Sequence, residues 1–382
     1  MLQTASTQTD SFTTSHKIFM SQALKQAEMG LGYTSPNPTV GAVIVRNGRI
    51  VGAGYHRQAG APHAEVEALR QAGELARGGT MYVTLEPCNH YGRTPPCTEA
   101  IIHAGIQIVY YATPDPNPYV IGCGQQRLVE AGIAVHQGPL ADEAYELNRF
   151  FMHYVAEKRP YLVAKFAVSL DGKIATYTGD SQWITGVEAR QKGHHLRHIC
   201  DAILVGAGTA IADNPQLTTR LPTNKTPSHP IRILLDSRGR VPLSFRLFDK
   251  SLPGKTIVAT TAQMNKAHRF ALAQQGVETI TLPCTTTQQV NLQALMEVLG
   301  QRQIMSVLVE GGGQVLASCF KERLINEVWS FVAPLIIGGE GAPSPVRGQG
   351  VATLDEAFHL QNHHIEQLGK DFLIRGYLPI HN

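Results

Sequence analysis

The sequence lacks any apolar run near the roughly twenty residues that would span a lipid bilayer. It also lacks a charge excess of either sign, because 33 basic residues face 30 acidic ones and the formal net charge is +3. A nucleic-acid-binding surface needs a marked basic excess. The sequence shows no internal repeat and no long low-complexity linker. These absences argue against a membrane protein and against a nucleic-acid partner.

Cysteine is scarce, with six residues in a chain of 382. Disulfide frameworks are typical of short, cysteine-rich secreted domains, so this composition indicates a reducing, cytoplasmic compartment. Residues 1–14 are rich in Ser, Thr and Gln and have neither the basic nor the apolar part of a secretory signal. We expect them to form a disordered tail. Four cysteines are scattered and predicted to be packed or surface thiols: Cys123, Cys200, Cys284 and Cys319.

Strand-like and helix-like segments alternate through both halves of the chain, which predicts an α/β fold in two domains. Charge and proline interrupt the pattern at 157–160, so the domains are predicted at 15–158 and 159–382. In the first half we expect helices at 16–29 and 140–157 and strands at 40–46, 80–84 and 106–112. In the second half we expect strands at 161–168, 202–205, 231–235, 256–259, 306–310 and 328–333.

One short motif carries most of the chemical information. His63 and Glu65 stand at a predicted helix start, and Cys88 and Cys97 follow. Zinc with three protein ligands keeps a fourth position for water, and a carboxylate that does not bind the metal can carry protons. The set matches the signature of zinc deaminases that remove amino groups from nucleobases. The sequence therefore predicts His63, Cys88 and Cys97 as zinc ligands and Glu65 as the catalytic acid and base.

Each part of the motif also has a plainer interpretation. A lone His-x-Glu occurs by chance, and two cysteines nine positions apart are commonly buried thiols. A structural zinc site is another alternative, with His90 as the candidate fourth ligand. Ligation by His90 so soon after Cys88 would be strained. The conjunction of all the parts favours the catalytic site.

Two glycine-rich segments follow apolar strands in the second half, at 206–208 and 311–313. The second of them leads into a predicted helix, whose free amides and dipole suit a pyrophosphate. Neither segment completes the Rossmann dinucleotide fingerprint, because Ile211 and Leu316 stand where the third glycine belongs. A standard Rossmann fold is therefore disfavoured, and a tight turn without a ligand stays the alternative for each segment.

The loop 87–97 reads Pro-Cys-Asn-His-Tyr-Gly-Arg-Thr-Pro-Pro-Cys, with a longer cysteine spacing than in many zinc deaminases. It resembles the corresponding loop of the bacterial bifunctional deaminase/reductases of riboflavin biosynthesis. Three further segments resemble the same family, namely residues 35–43, 115–118 and 165–173. The resemblance is full length, apart from the predicted tail.

This resemblance implies a cytidine-deaminase-like α/β/α domain followed by a dihydrofolate-reductase-like α/β domain. The first would bind zinc and deaminate 2,5-diamino-6-(5-phosphoribosylamino)pyrimidin-4(3H)-one, with Glu65 moving protons between the zinc-activated water, the ring and the leaving ammonia. The second would use NADPH to reduce the ribosyl side chain of 5-amino-6-(5-phosphoribosylamino)uracil to ribityl. The partners would be pyrimidine ribonucleotides and further copies of the chain, in a homo-oligomer.

For the deaminase domain, the resemblance implies six substrate contacts: Asn37, His56, His90, Arg93, Asp115 and Asn117. Asn37 and Asn117 lie in Pro-Asn-Pro turns, where a rigid backbone can present an amide to a base or ribose. The alternative is that both asparagines only stabilise their turns. Cys123 stands where the family often has a charged residue, which is a departure from its pattern.

For the reductase domain, the resemblance implies two sets of contacts. The NADPH contacts are Ala167, Trp183, Thr209, Asp213, Ser237, Gly312, Gly313, Gln314, Val315, Leu316, Ala317 and Ser318. The substrate contacts are Ser181, Arg197, Leu217, Arg220 and Glu310. Arg238 beside Ser237 would suit the 2′-phosphate that distinguishes NADP from NAD.

Two pairs of charged residues in this domain have predicted roles of their own. Arg197 and Arg220 would clamp the ribose phosphate of the substrate, although each could instead be a solvated surface charge. Lys165 and Asp171 are expected near the reacting ribosyl group as candidate catalytic residues. Whether either of them transfers a proton stays open, because hydride transfer needs mainly orientation.

Two other functions remain as alternatives. A deaminase of tRNA or free cytidine with an unrelated second domain would have a shorter cysteine spacing and a basic surface. A zinc-stabilised nucleotide sensor without chemistry would not need Glu65, Lys165 and Asp171, all of which are present. The bifunctional enzyme is the prediction that accounts for both halves of the chain.

Overall fold

The computed structural model describes residues 13–91, 95–117, 121–222 and 226–379. The chain forms two compact units that divide between Glu157 and Lys158. Each unit contains one β-sheet with helices, so the predicted α/β class is confirmed. Within the described residues, we find no helix long and apolar enough to cross a membrane.

The first unit is built around a five-stranded sheet in the order β2-β1-β3-β4-β5. Its strands are β1 Gly41–Arg46, β2 Arg49–Tyr55, β3 Thr80–Leu85, β4 Ile108–Thr113 and β5 Ala134–Gln137. Its helices are α1 Thr14–Glu28, α2 Ala64–Ala72, α3 Cys97–His103, α4 Cys123–Glu130, α5 Ala141–Leu147 and α6 Arg149–Glu157. A 3-10 turn, Gly73–Ala76, follows α2. Strand β1 is antiparallel to β2 and β3, whereas β3, β4 and β5 run parallel.

Helix α2 lies unusually close to strand β2. A Cβ atom added at Gly54 would lie 2.5 Å from the Ala68 nitrogen and 2.6 Å from the Ala64 oxygen. Only glycine permits this approach, because real Cβ atoms do not come so near to backbone. The contact fixes the first turn of α2, which carries Glu65.

Two predictions for the first unit need correction. The helix predicted at 140–157 is two helices, because the Asn148 side chain accepts from the Thr39 amide at 2.7 Å and donates to the Thr39 carbonyl at 2.9 Å. An asparagine that bonds distant backbone in this way favours a break over a continuous helix. Thr14, predicted as the end of a tail, is the first residue of α1. The rest of that predicted tail, up to residue 12, lies outside the described residues.

The second unit has a nine-stranded sheet in the order β10-β9-β8-β7-β11-β6-β12-β14-β13. Its strands are β6 Tyr161–Ser169, β7 Ala202–Gly206, β8 Ile231–Leu235, β9 Thr256–Thr260, β10 Glu278–Thr281, β11 Ser306–Val309, β12 Ile325–Ala333, β13 Gln361–Leu368 and β14 Asp371–Tyr377. Its helices are α7 Val187–Ile199, α8 Ala207–Asp213, α9 Lys266–Gln274, α10 Leu292–Gln301 and α11 Gly313–Lys321. Short 3-10 turns lie at Arg246–Phe248 and Leu354–Glu356.

Seven neighbouring strands of this sheet, from β10 to β12, are parallel, and β14 and β13 are antiparallel to their neighbours. Strand β6 lies between β11 and β12, and its first four residues are buried. All six predicted strands of this half are present. The β13–β14 hairpin was not predicted, since β13 reads Gln-Asn-His-His-Ile-Glu-Gln-Leu and is mostly exposed. The parallel strands place their carboxyl ends at one edge, where ligands bind in open α/β sheets.

Candidate active sites

The three predicted zinc ligands of the first unit lie together. The Nδ1 atom of His63 is 3.0 Å from Cys97 Sγ and 3.5 Å from Cys88 Sγ. All three ligand atoms lie within 4.8 Å of one another. His63 caps the N-terminus of α2, Cys97 opens α3, and Cys88 follows β3. Two helix starts and a strand end therefore converge on one point, with the nitrogen and sulfur donors that suit zinc.

Glu65 lies beside these ligands and is almost fully buried, with 3% of its surface exposed. Its Oε2 atom is buried and has no hydrogen-bond partner. Burial raises the pKa of this carboxyl group, and the positive charge on His63 partly opposes the shift. A buried polar atom without a partner is costly unless a ligand or water satisfies it. Glu65 is thus a buried carboxyl group with a raised pKa and one unpartnered oxygen beside the three ligand residues.

A hydrogen bond links the two thiols and moves their pKa values in opposite directions. The hydrogen bond from Cys97 is the largest cause that lowers the pKa of Cys88 to about 4, and the same bond raises the pKa of Cys97. A hydrogen bond with Cys88 also raises the pKa of His63. Zinc needs both thiolates and a neutral imidazole, so binding must release protons from this cluster.

His56 and Asn37 form a polar pair next to the zinc ligands. The His56 ring contacts the His63 ring edge-on, with centroids 5.3 Å apart. His56 Nδ1 lies 3.2 Å from the Pro62 carbonyl, which can only accept, so Nδ1 carries the proton. His56 Nε2 then accepts from Asn37 Nδ2 at 3.1 Å. Burial lowers the pKa of His56, which keeps this neutral form.

Asp115 is buried, and its Oδ1 accepts from the Asn117 amide at 2.8 Å. Burial raises the pKa of Asp115. His90 is exposed on the loop after Cys88. Arg93, another predicted substrate contact, lies outside the described residues.

One buried carboxylate of this region was not predicted as a functional residue. Glu86 accepts from the Gly122 amide at 3.1 Å through Oε2 and from the Gln125 amide at 3.2 Å through Oε1. These amides lie at the start of α4, so Glu86 neutralises the positive end of that helix. A Cβ atom at Gly124 would lie 1.9 Å from the Pro87 oxygen. The start of α4 therefore packs directly against the residue that precedes Cys88, and no local sequence signal reveals this.

In the second unit, Arg197 and Glu310 form a buried ion pair. Arg197 donates two hydrogen bonds to Glu310, at 2.8 Å from Nε and 2.7 Å from Nη2, and a third from Nη1 to the Thr218 carbonyl at 3.2 Å. Burial alone would raise the pKa of Glu310, but Arg197 and Lys165 outweigh it and hold the pKa at about 2. Burial also lowers the pKa of Lys165, against the attraction of Glu310.

Arg220 lies near this pair and makes longer contacts. Its Nη1 atom donates to Thr218 Oγ1 at 3.3 Å and to Gln216 Oε1 at 3.4 Å. Burial and then Arg197 lower its pKa. Leu217 is buried with a φ of 55°, in the left-handed region. Ser181 is half-buried.

Asp171 lies just beyond the end of β6 and is engaged by backbone. Its Oδ1 accepts from the Ile337 amide at 3.0 Å and its Oδ2 from the Gly338 amide at 2.7 Å. Hydrogen bonds from Ser169 and then from these amides lower its pKa to about 2. Asp171 therefore holds the chain that follows β12 and is a weak base.

The two glycine-rich segments of the second unit lie against each other. A Cβ atom at Gly312, where φ is 73°, would lie 2.8 Å from Thr209 Oγ1, and one at Gly206 would lie 2.8 Å from Val315 Cγ2. The starts of α8 and α11 are therefore adjacent. Only glycine fits both the left-handed conformation and the close approach at 312.

A cavity of about 540 Å³ opens beside these glycines. Its lining brings together several predicted NADPH contacts, namely Ser237, Gln314, Val315 and Ser318. Arg238, Arg240 and Lys321 also line it and make it cationic. Cationic side chains beside the starts of two helices suit a phosphorylated dinucleotide.

Three other predicted cofactor contacts are not among the residues that line this cavity. Trp183 is 67% exposed, and the Arg190 guanidinium lies 4.6 Å from its ring centroid. Asp213 ends α8, and burial raises its pKa. Ala167 is half-buried on β6. Each of these stays a prediction.

Two family models match the chain. The one described as the RibD C-terminal domain matches residues 160–374, and the one described as the cytidine and deoxycytidylate deaminase zinc-binding region matches residues 13–113. The riboflavin biosynthesis protein RibD of Aquifex aeolicus is 46% identical over 359 residues, which cover 94% of this chain and 97% of that protein.

Solved structures agree over the same span. Form 1 of Acinetobacter baumannii RibD is 39% identical with a TM-score of 0.86, covering 96% of this chain and 99% of that one. The Thermotoga maritima diaminohydroxyphosphoribosylaminopyrimidine deaminase/5-amino-6-(5-phosphoribosylamino)uracil reductase is 38% identical with a TM-score of 0.83, again covering 96% and 99%. The chain is thus similar to these proteins across both units.

Proposed function

Because the chain belongs to the RibD family of riboflavin biosynthesis, we propose that each unit holds one active site of a bifunctional deaminase and reductase. The first unit deaminates 2,5-diamino-6-(5-phosphoribosylamino)pyrimidin-4(3H)-one. The second reduces the ribosyl side chain of 5-amino-6-(5-phosphoribosylamino)uracil to ribityl with NADPH. The observation that carries the assignment is the buried, unpartnered Glu65 oxygen beside three converging zinc ligands.

His63, Cys88 and Cys97 are proposed to hold the zinc ion of the deaminase. Bound zinc supplies a water that ionises near neutral pH. Glu65 takes the proton of that water, and it then delivers protons to the ring nitrogen and to the departing ammonia. Burial raises the pKa of this carboxyl group, which makes it a better proton acceptor than an exposed carboxylate and suits it to this alternation.

The deaminase substrate contacts proposed are Asn37, His56, His90, Arg93, Asp115 and Asn117. His56 supports such a role because its only donor is directed at the Pro62 carbonyl and its Nε2 orients the Asn37 amide. The Asn37 carbonyl oxygen is then left to face a donor on the base. Asp115 orders the Asn117 backbone in the same way.

The reductase site is proposed at the carboxyl edge of the nine-stranded sheet. NADPH is expected to place its phosphates on the loop Gly312–Ser318 and Thr209, with Ser237 and Arg238 at the adenosine end, and Ala167, Trp183 and Asp213 as further contacts. The chain orients the nicotinamide against the open-chain ribosyl carbon, and little else is needed for hydride transfer. The cationic cavity beside the glycines supports this placement.

The reductase substrate is proposed to contact Ser181, Arg197, Leu217, Arg220 and Glu310. Arg197 already has three hydrogen bonds to protein acceptors, whereas the side-chain bonds that Arg220 makes to described residues are 3.3 and 3.4 Å long. Arg220 is therefore the arginine better placed to turn toward a phosphate. Lys165 faces the pair Arg197 and Glu310 and is the better candidate for a proton donor, because both Asp171 oxygens accept from backbone amides.

A homo-oligomer and a cytoplasmic location complete the proposal. The β13–β14 hairpin exposes Ile365 and Phe372 on its surface, as a subunit contact would. No disulfide joins any of the six cysteines, all of which the structure describes, and this agrees with a reducing compartment.

The test is an assay of the purified, zinc-loaded protein with the diaminopyrimidinone ribosyl phosphate. We expect ammonia release without NADPH, and we expect the absorbance of NADPH to fall once the cofactor is added. Ammonia without NADPH oxidation would contradict the reductase assignment. The absence of both signals would contradict the choice of substrate.

A further inference from the structure

Residues 217–220, here called the arginine segment, are held by histidine side chains. The Arg220 amide donates to His194 Nδ1 at 3.3 Å, and the Thr219 amide donates to His229 Nδ1 at 3.2 Å. His194 belongs to α7, and His229 precedes β8. Two imidazoles from different parts of the unit thus bind two consecutive amides of one segment.

A third imidazole binds the chain that returns from this segment to β8. The Ser228 amide donates to His198 Nδ1 at 3.0 Å. His198 lies one helical turn after His194 on α7, so both rings extend from the same side of the helix. His194 and His198 of α7 therefore bind the chain at Arg220 and again at Ser228.

The arginine segment lies between α8 and β8, outside every helix and strand. Leu217, Thr218 and Thr219 are buried, whereas Arg220 is exposed. Besides the two imidazoles, Arg197 binds the backbone of the segment through a hydrogen bond of 3.2 Å from Nη1 to the Thr218 carbonyl. The Thr219 hydroxyl is buried and has no partner among the described residues. The amide of Arg220, at the exposed end of the segment, is therefore held by an imidazole.

The direction of these hydrogen bonds is fixed by the donors. A backbone N–H can only donate, so each Nδ1 must present a lone pair. Protonation at Nδ1 would remove that lone pair and break the contact. The imidazoles must therefore be neutral for the segment to be held.

Burial and nearby positive charges keep His194 neutral. Among the described residues, the charged groups that act on it are Arg197 of the same helix, Arg220 of the segment, Lys165 of β6 and the acidic Glu310 beyond β11. Burial, followed by Arg197 and Arg220, lowers the pKa of His194 to about 4. Burial and then Arg232 also lower the pKa of His229. Burial and the nearby positive charges, including that of Arg220, therefore keep His194 able to accept the hydrogen bond from the Arg220 amide.

We propose that His194 and His229 are positioning residues of the reductase, which hold the arginine segment so that Arg220 meets the phosphate of the ribonucleotide. This proposal rests on the role of Arg220 in the proposed function. Neither histidine contacts the reacting carbon or the hydride. Their effect is therefore on the binding of the phosphate and not on the transfer step.

The test compares His194→Ala with His194→Asn in the full-length, zinc-loaded protein. Asparagine offers an oxygen near the position of Nδ1, so it can still accept from the Arg220 amide, whereas alanine cannot. We expect His194→Ala to raise the KM for 5-amino-6-(5-phosphoribosylamino)uracil roughly tenfold with little change in kcat, as for a lost ground-state contact. His194→Asn should stay within about threefold of the wild type in KM. His229→Ala and His229→Asn should show the same contrast.

A direct probe of phosphate binding is inhibition by inorganic phosphate. It should weaken in His194→Ala in proportion to the rise in KM, while the Kd of NADPH and the deaminase activity stay unchanged. The pH profile adds a readout that a purely structural role would not move. In the wild type, KM should rise as the pH falls toward 4, because the pKa of His194 in the folded protein is about 4 and the ring then ceases to accept. The rise should be smaller in His194→Asn.

A matched control is His364→Ala, which removes an exposed imidazole from β13 of the same unit. It should leave KM and its pH profile unchanged. An equal rise in KM for His194→Ala and His194→Asn, or a KM unchanged in both, would overturn the positioning role. If the wild type itself fails to reduce the aminouracil nucleotide, the proposed function fails instead, so the two failures are distinguishable.

Discussion

Arg197 and Glu310 are joined by two parallel hydrogen bonds of 2.8 and 2.7 Å, with side chains only 15% and 8% exposed. Removing one partner of such a buried pair leaves the other charge without compensation. We expect Glu310→Gln to lower the free energy of unfolding of the second unit by about 3–5 kcal/mol. Both tryptophans of the chain, Trp183 and Trp329, lie in this unit, so tryptophan fluorescence in urea reports its unfolding.

Glu366→Gln is the matched control for that experiment. Glu366 pairs with Lys192 at 3.0 Å, but both side chains are about a third exposed. Exposed ion pairs contribute less than about 1 kcal/mol to the free energy of unfolding, so this variant should be almost as stable as the wild type. Equal effects of the two substitutions would show that the Arg197–Glu310 pair does not stabilise the fold.

The same pair predicts a dependence on pH. The pKa of Glu310 is held at about 2 in the folded protein, below its value in the unfolded chain. Its contribution is therefore fully present above about pH 4.5 and is lost as the pH falls toward 2. We expect the stability difference between wild type and Glu310→Gln to shrink over that interval. A difference that is constant from pH 5 to pH 2.5 would contradict the low pKa.

Exchanging Glu65 for Gln tests the proton carrier of the deaminase. Glutamine keeps the shape of the side chain but cannot transfer a proton, so ammonia release should fall at least about a hundredfold. Zinc content should stay at the wild-type level, because Glu65 is not among the ligands. Reduction of supplied aminouracil nucleotide should be unchanged.

Glu67→Gln controls for the loss of a carboxylate from the same helix. Glu67 pairs with Arg70 at 2.7 Å and is not among the residues gathered around the zinc ligands, so deamination should persist. Ammonia release that survives in Glu65→Gln would exclude Glu65 as the proton carrier. Loss of reduction together with deamination would mean that the two sites are not independent.

The substitution Cys97→Ser tests whether Cys97 is a zinc ligand. A serine hydroxyl is a poor substitute for thiolate, so we expect bound zinc and deaminase activity to fall together while reductase activity persists. Cys284→Ser, at an exposed cysteine, should retain both zinc and activity. Zinc measured by atomic absorption at the wild-type level in Cys97→Ser would contradict the assignment.

The features of this protein that could be predicted are those encoded by residues close together in the sequence. The cluster of His63, Cys88 and Cys97 was predicted from residue types at close spacing, and six strands of the second half were predicted from apolar runs. Strand β13 of the β13–β14 hairpin escaped prediction because it is polar and mostly exposed. The break between α5 and α6 escaped because Asn148 is satisfied by Thr39, more than a hundred residues away.

The same distinction applies to the residues that support the sites. His194 and His229 act on backbone amides that are 26 and 10 residues away in sequence, and a histidine alone gives no sign of such a partner. Glu86 caps a helix that begins 37 residues later, and only the fold brings the two together. The chemistry of a site can be predicted from residue types, whereas the residues that position the site depend on long-range packing.

Gly124→Ala tests how the start of α4 supports the zinc site. The added methyl group would lie 1.9 Å from the Pro87 oxygen, so Pro87 and α4 must move apart. Because Pro87 directly precedes Cys88, the movement displaces a zinc ligand. We expect about a tenfold or greater loss of zinc affinity, measured by competition with a chelator, since small displacements of supporting residues have such effects. Gln126→Ala, on the exposed part of the same helix, should not change the affinity. An unchanged zinc affinity in Gly124→Ala would show that α4 does not position Cys88.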